Sequence, residues 1–148
     1  MRAIIQRVKQ ASVEVDKKIV GSINHGLLIF LGVTHDDTET DVDYLVKKIL
    51  NMRIFEDAEG KMNHSLLDFD YELLSVSQFT LHANTKKGNR PSFTDSAKPK
   101  QAESLYIYFN ERVKKAGIHL ETGVFAAMMD VSLINDGPVT ISLDSKNK

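Results

Sequence analysis

The sequence predicts an α/β fold: one domain of mixed β-sheet, or partial barrel, with two main helices, about residues 38–51 and 99–116, packed on it. Two segments carry apolar residues at helical spacing along one face. The other apolar segments are short, and either alternate with polar residues or run continuously for strand length. Their order is strands, helix, strands, helix, strands, which is the order of helices covering a sheet. A chain of 148 residues fits a single domain, residues 1–148, whose last few residues read as a flexible tail.

Residues 2–8 and 11–15 read as strands; in the second, Val13 and Val15 alternate with Ser12, Glu14 and Asp16. Asp16-Lys17-Lys18 turns the chain into 19–23, so a hairpin is expected. Gly26 precedes Leu27-Leu28-Ile29-Phe30-Leu31, a continuous apolar run that reads as a central strand buried on both faces. Thr38 can cap the first helix, and Glu39 and Asp41 in its first turn favour the helix dipole. Val42, Leu45, Val46, Ile49 and Leu50 then fall at i, i+3, i+4, i+7 and i+8, a single apolar stripe. Residues 53–55 make a short strand candidate closed by Asp57-Ala58-Glu59-Gly60, and 72–81 make a longer one. Residues 84–97, rich in Asn, Thr, Lys, Gly, Pro and Ser, read as loop. Pro99 suits a first helical position, Ala102, Leu105, Tyr106, Phe109, Val113 and Ala116 form the second stripe, and Gly117 stands where a terminator belongs. Residues 129–134 and 139–143 read as two strands separated by Asn135-Asp136-Gly137-Pro138.

Composition narrows the chemistry. The apolar share of 42% and charged share of 26% are those of a soluble globular protein. No run approaches the ~18 consecutive apolar residues of a membrane span, and the first residues enter a strand pattern without a signal-peptide stretch. The absence of cysteine excludes disulfides, thiolate nucleophiles and Cys-ligated zinc, and fits an intracellular protein. His25, His35, His64, His82 and His119 are scattered, with neither HExxH nor His-x-His spacing, so no metal is expected. There is no Gly-x-Ser-x-Gly elbow, P-loop or dinucleotide fingerprint. Catalysis is then left to backbone groups, hydroxyls and the substrate itself. A formal net charge of −1 gives no whole-protein basic field, but residues 86–100 hold Lys86, Lys87, Arg90, Lys98 and Lys100 against Asp95 alone. That stretch is either a solvated loop or a contact for phosphates.

Two segments break apolar strands at their ends, where rigid scaffolds present functional groups. In Ser77-Gln78-Phe79-Thr80-Leu81-His82-Ala83, Ser77 and Thr80 supply hydroxyls, Gln78 an amide and Phe79 an apolar wall. Backbone N–H groups at such an end can face a developing oxyanion; the plain alternative is a strand end with satisfied local hydrogen bonds. Thr80 as nucleophile needs a base, and His82, on the same face of a regular strand, is the neighbour in sequence. In Asn135-Asp136-Gly137-Pro138-Val139-Thr140, glycine lets ligand atoms approach the backbone and proline removes a donor. Only about 5–6% of X–Pro bonds in folded proteins are cis, so an ordinary trans turn is the competing reading.

Together the segments resemble the two signature motifs of the D-aminoacyl-tRNA deacylases, and the resemblance runs from Met1 to about Leu143. Ser77-Gln78-Phe79-Thr80-Leu81-His82-Ala83 is similar to the family's Ser-Gln-Phe-Thr-Leu-x-Ala, with His82 at its variable position. Asn135-Asp136-Gly137-Pro138-Val139-Thr140 matches Asn-x-Gly-Pro-Val-Thr. Gln6-Arg7-Val8, Arg53-Ile54-Phe55, Gly60-Lys61-Met62-Asn63 and Arg90-Pro91-Ser92-Phe93 look like further family segments.

The resemblance implies a cytoplasmic enzyme that hydrolyses the ester joining a D-amino acid to the tRNA 3′-terminal adenosine, sparing L-aminoacyl-tRNA. It implies no cofactor, no metal and no membrane, and a homodimer in which a cis Gly137-Pro138 reaches the other subunit's pocket. Ser77, Gln78, Phe79 and Thr80 would be the catalytic set. Gly137, Pro138, Arg7, Met129 and Asn135 would bind substrate, Arg7 by holding the Gly-Pro loop and Met129 by lining the same region. Lys86, Lys87 and Arg90 would meet tRNA. Main chain pressed against Cα would reject the L arrangement by collision whatever the side chain is, and achiral glycine would slip through. Two rivals stand beside this reading: a non-catalytic RNA- or ligand-binding module, and an esterase acting on small free esters.

Overall fold

The computed structural model describes residues 1–147. Its strands are β1 (Arg2–Val15), β2 (Lys18–Ile23), β3 (Gly26–Gly32), β4 (Phe55–Glu56), β5 (Met62–His64), β6 (Glu72–Ser77), β7 (His119–Thr122) and β8 (Asp130–Asp144). Its helices are α1 (Glu39–Asn51) and α2 (Pro99–Lys115). The six-stranded sheet runs β2-β1-β3-β6-β7, with β8 paired to β1, and β4 and β5 form a separate ribbon. The β3–β6 and β6–β7 pairs are parallel and the rest antiparallel.

The apolar run at 27–31 is the centre of this sheet, as its composition predicts. Leu27, Ile29 and Leu31 join the core beneath the helices, with Leu45, Ile49 and Phe109, while Leu28 faces a second cluster with Val13, Leu74 and Val76. Burying each such side chain stabilises the fold by about 1.5–3 kcal/mol. The sheet curls until its far edges meet. A Cβ on Gly21 of β2 would lie 2.7 Å from the carbonyl oxygen of Thr122 in β7, so only glycine permits this approach. The result is a nearly closed, barrel-like sheet with both helices on one outer face.

Four sequence expectations change in detail. Residues 2–8 and 11–15 belong to one strand: β1 pairs with β3 along its first half and with β2 along its second, and the ladder to β8 shifts register at Val8. Residues 130–134 and 139–143 are likewise two stretches of one long strand, β8, and Met129, expected to open the first, lies just before it. The strand expected at 72–81 ends at Ser77, and Phe79–His82 is a 3₁₀ turn. The strand expected at 53–55 is Phe55–Glu56.

Of the expected tail, Lys148 lies outside the described residues, whereas Ser145 is buried in a polar network under the start of β1. The Met1 ammonium donates to Asp37 at 2.5 Å and to Ser145 Oγ at 2.8 Å, and Lys146 lies 3.0 Å from Asp41. Burial alone would raise the Asp41 carboxyl, but hydrogen bonds from Ser145 and the Thr38 N–H, together with Lys146, hold it well below the usual carboxylate range. A folded-state value below the unfolded one, about 3.9, stabilises the fold above that pH and is lost progressively as pH falls below it. Urea unfolding at pH 6 and pH 3 is therefore expected to show a smaller acid loss in Asp41→Asn than in the parent; equal losses reject this assignment.

Candidate active site

The first segment turns because β6 runs out of partner. Ser77 pairs with Leu31 near the end of β3, and the Gln78 N–H makes a last bond to the Leu31 carbonyl at 2.8 Å. The chain then winds over Gly32. A Cβ there would stand 2.9 Å from Leu81 Cβ, 3.0 Å from the Gln78 carbonyl oxygen and 3.2 Å from His82 Cδ2, so the turn requires glycine beneath it. Leu81 is the first residue of the turn to donate back, to Gln78 at 3.3 Å. The N–H groups of Phe79 and Thr80 are thus the ones a helical turn leaves without partners inside it. The turn is tied from two sides: Arg2 Nη1 donates to the Leu81 carbonyl at 2.9 Å, and Ser96 Oγ to the Phe79 carbonyl at 2.9 Å.

Gln78 Nε2 donates to Thr80 Oγ1. The Thr80–His82 relay conceivable on a regular strand does not form. His82 is buried against Gly32, its Nε2 has no hydrogen-bond partner, and burial pushes its imidazole below the usual histidine value. A ring buried in this way serves packing, and among the described residues Thr80 Oγ1 is hydrogen-bonded by Gln78 and by no base.

The second segment sits where β8 leaves its ladder. Thr140 pairs with Gln6 and Asn135 with Val8, so residues 136–139 all stand opposite Arg7. The Gly137-Pro138 bond is cis, and both residues are exposed. Buried Arg7 holds the excursion: Nε donates to the Asp136 carbonyl at 3.0 Å and Nη1 to the Ile54 carbonyl at 2.6 Å. Asn135 braces it from within, its Oδ1 accepting from the Val139 N–H at 2.8 Å and its Nδ2 reaching Thr140 Oγ1 at 3.2 Å. Beneath the loop lies a cavity of about 460 Å³ lined by Arg7, Glu56, Phe69 and Tyr71 among others.

One chain does not bring the two segments together. Arg2, at the end that holds the 3₁₀ turn, and Arg7, which holds the Gly-Pro loop, are five residues apart on β1, or about 16 Å at ~3.3 Å per residue. Nor is Met129 beside Gly137: it precedes Asp130, which pairs with Glu14, and packs in the second core cluster. Lys86, Lys87 and Arg90 are exposed, with no ion pair among the described residues, on a loop closed by the Asn84–Ser92 bridge. Among the described residues no three His, Asp or Glu side chains gather as a metal would need, and no helix is long and apolar enough to cross a membrane.

Gly32, Arg2 and Ser96 are the site residues that sequence reasoning missed. Gly32 carried a signal, as the one small residue closing an apolar strand; Arg2 and Ser96 carried none, because their partners are distant in sequence.

The family model described as D-Tyr-tRNA(Tyr) deacylase matches residues 4–144. Proteins named D-aminoacyl-tRNA deacylase from Bacillus thuringiensis (strain Al Hakam) and Bacillus anthracis (strain A0248) are each 60% identical over 146 residues, covering 99% of this chain and all of the relative. A solved structure described as "c-Myc DNA Unwinding Element Binding Protein" superposes with a TM-score of 0.91 at 42% identity, covering 97% of this chain and 98% of that one. Another, "Structural Analysis of a probable eukaryotic D-amino acid tRNA deacylase", has a TM-score of 0.82 at 19% identity over 96% and 97% of the two chains, a likeness of fold.

Proposed function

The chain belongs to the D-Tyr-tRNA(Tyr) deacylase family, and from that premise we infer that it is an ester hydrolase which releases D-amino acids from tRNA, a proofreading step in translation. The observation that carries this reading is the full-length match, which includes both signature segments intact. Hydrolysis of D-tyrosyl-tRNA by the purified protein, with L-tyrosyl-tRNA spared, is the expected result; equal rates on the two enantiomers end it.

Water attacks the ester carbonyl, and the N–H groups of Phe79 and Thr80 face the oxygen on which charge develops. Collapse expels the ribose 3′-oxygen, which takes up the proton lost by water; the neighbouring 2′-hydroxyl is placed to relay it. Ser77 and Gln78 shape the turn, and Thr80 positions rather than attacks, because among the described residues its hydroxyl is hydrogen-bonded by Gln78 and by no base. Thr80→Ala is expected to keep turnover within about tenfold of the parent, the loss of one hydrogen bond being worth about 0.5–1.5 kcal/mol. A trapped acyl-enzyme on Thr80 would reverse that assignment.

Handedness is sensed by main chain at Gly137 and Pro138, donated into the cleft of a second copy in a homodimer. The support is geometric: the loop is exposed, fixed by Arg7 and Asn135, and remote from its own chain's 3₁₀ turn. Pressed against Cα, it excludes an L side chain whatever its chemistry. Lys86, Lys87 and Arg90 meet phosphates of the tRNA in the cytoplasm. Reversing the charge of Lys86 and Lys87 is expected to reduce the salt slope of tRNA binding by about 0.7–0.9 for each phosphate no longer neutralised; an unchanged slope rejects their role in binding.

A nucleic-acid binder without turnover is favoured by one observation, the name carried by the relative at 42% identity. The same deacylation assay decides between the two.

A further inference from the structure

Phe79 and Phe93 pack edge to face, with ring centroids 5.2 Å apart and an interplanar angle of 73°, yet they remain 55% and 39% exposed. Single exposed apolar residues need no explanation, but this pair is exposed on a backbone that is fixed. Phe93 lies between two bridges, Asn84–Ser92 and Thr34–Ser96. Around it Thr34 Oγ1 donates to the Asp95 carbonyl at 2.5 Å, and His35 Nε2 meets the Thr94 carbonyl at 2.7 Å. Ser96 closes the circuit, its N–H on the Phe93 carbonyl at 3.1 Å and its hydroxyl on the Phe79 carbonyl at 2.9 Å. Two aromatic rings held this firmly toward solvent are pre-organised for a flat partner, because the ordering cost is met before binding.

Charge identifies the partner. The Asn84–Ser92 bridge closes the loop that carries Lys86, Lys87 and Arg90, so the rings join the first residue of the 3₁₀ turn to the end of a cationic loop. Aromatic faces beside cations are the combination that holds unpaired nucleotides. Building on the proposed deacylase reading, in which the terminal nucleoside carries the ester to the Phe79–Thr80 amides, we propose that Phe93, braced edge to face by Phe79, is the stacking face for the unpaired nucleotide preceding that nucleoside. The phosphates further along the strand then run toward Lys86, Lys87 and Arg90.

The test separates the platform from the reaction. Phe93→Ala is expected to raise KM for D-tyrosyl-tRNA about 5- to 150-fold, the range for losing one stacked base, while leaving kcat and the hydrolysis of D-tyrosyl-adenosine unchanged. Phe93→Tyr is expected to restore KM. The chain has no tryptophan, so Phe93→Trp installs a single reporter. Its emission is expected to be quenched by the trinucleotide cytidylyl-cytidylyl-adenosine and not by adenosine alone. Equal losses on both substrates, no quenching by the trinucleotide, or emission that follows protein concentration instead would overturn the proposal; the last would assign the rings to contact between copies. Failure of the wild type to hydrolyse D-tyrosyl-tRNA would refute the deacylase reading alone, since the quenching experiment needs no turnover.

Discussion

Gly137→Ala is expected to lower kcat/KM for D-aminoacyl-tRNA by about a hundredfold or more, with the fold intact. Gly137 has φ +139°, a conformation that L side chains rarely adopt, and a Cβ there would lie 2.9 Å from the Val139 N and 2.8 Å from Val139 Cγ2. Backbone held in such a region costs about 1–3 kcal/mol with a side chain present. The loop escapes that cost by moving, and a displacement near 1 Å at a positioning element can cost about 10²-fold in rate. The core is remote from the loop tip, so thermal unfolding should change by only a few degrees. Steady-state kinetics with D-tyrosyl-tRNA, beside a melting curve, checks both halves. Activity near that of the parent would show that substrate never meets this backbone.

Arg7→Ala is expected to damage stability and activity together. The guanidinium is almost fully buried and donates to the carbonyls of Asp136 and Ile54, joining the Gly-Pro loop to the segment before β4. Each hydrogen bond from a charged donor is worth about 1.5–3 kcal/mol, and removal strands two acceptors. The ion pairs to Asp136 at 3.4 Å and Glu56 at 3.7 Å add little, because both carboxylates are partly exposed. A net loss of about 2–4 kcal/mol corresponds to a fall in Tm of roughly 5–15 °C for a chain of this size. Deacylation should fall at least as far as in Gly137→Ala, since the loop loses its anchor. Arg7→Lys is not expected to rescue either property, because one ammonium cannot reach two carbonyls in fixed directions. Rescue by lysine would mean that charge rather than the fork holds the loop.

The helices and the central strand were legible in sequence because each is decided locally. The stripe from Val42 to Leu50, Pro99 at the start of α2 and the unbroken run at 27–31 need no distant partner to be recognised. Long-range pairing was less visible. Nothing near residues 8–10 tells that β1 continues while its neighbour changes from β3 to β2. β7 has only four residues, too few for an alternation to register. Ser77 through His82 continue an apolar alternation, so the 3₁₀ turn is imposed by the end of the β3 ladder and by Gly32, not by local preference. Within the site, hydroxyls and the Gly-Pro step stand out as residue types. The tethers from Arg2 and Ser96 do not, because each joins segments whose nearness only the fold creates.

β1 works as a ruler. Its first residue, Arg2, moors the turn at which the ester would be cleaved, and its sixth, Arg7, moors the loop that would judge handedness in a neighbouring copy. Because side chains alternate along a strand, one residue gained or lost between these positions would flip one mooring to the opposite face. The hairpin tips at 57–60 and 86–90 can lengthen or shorten without that penalty, so freedom to vary in length is concentrated there and is denied to the four residues between Arg2 and Arg7.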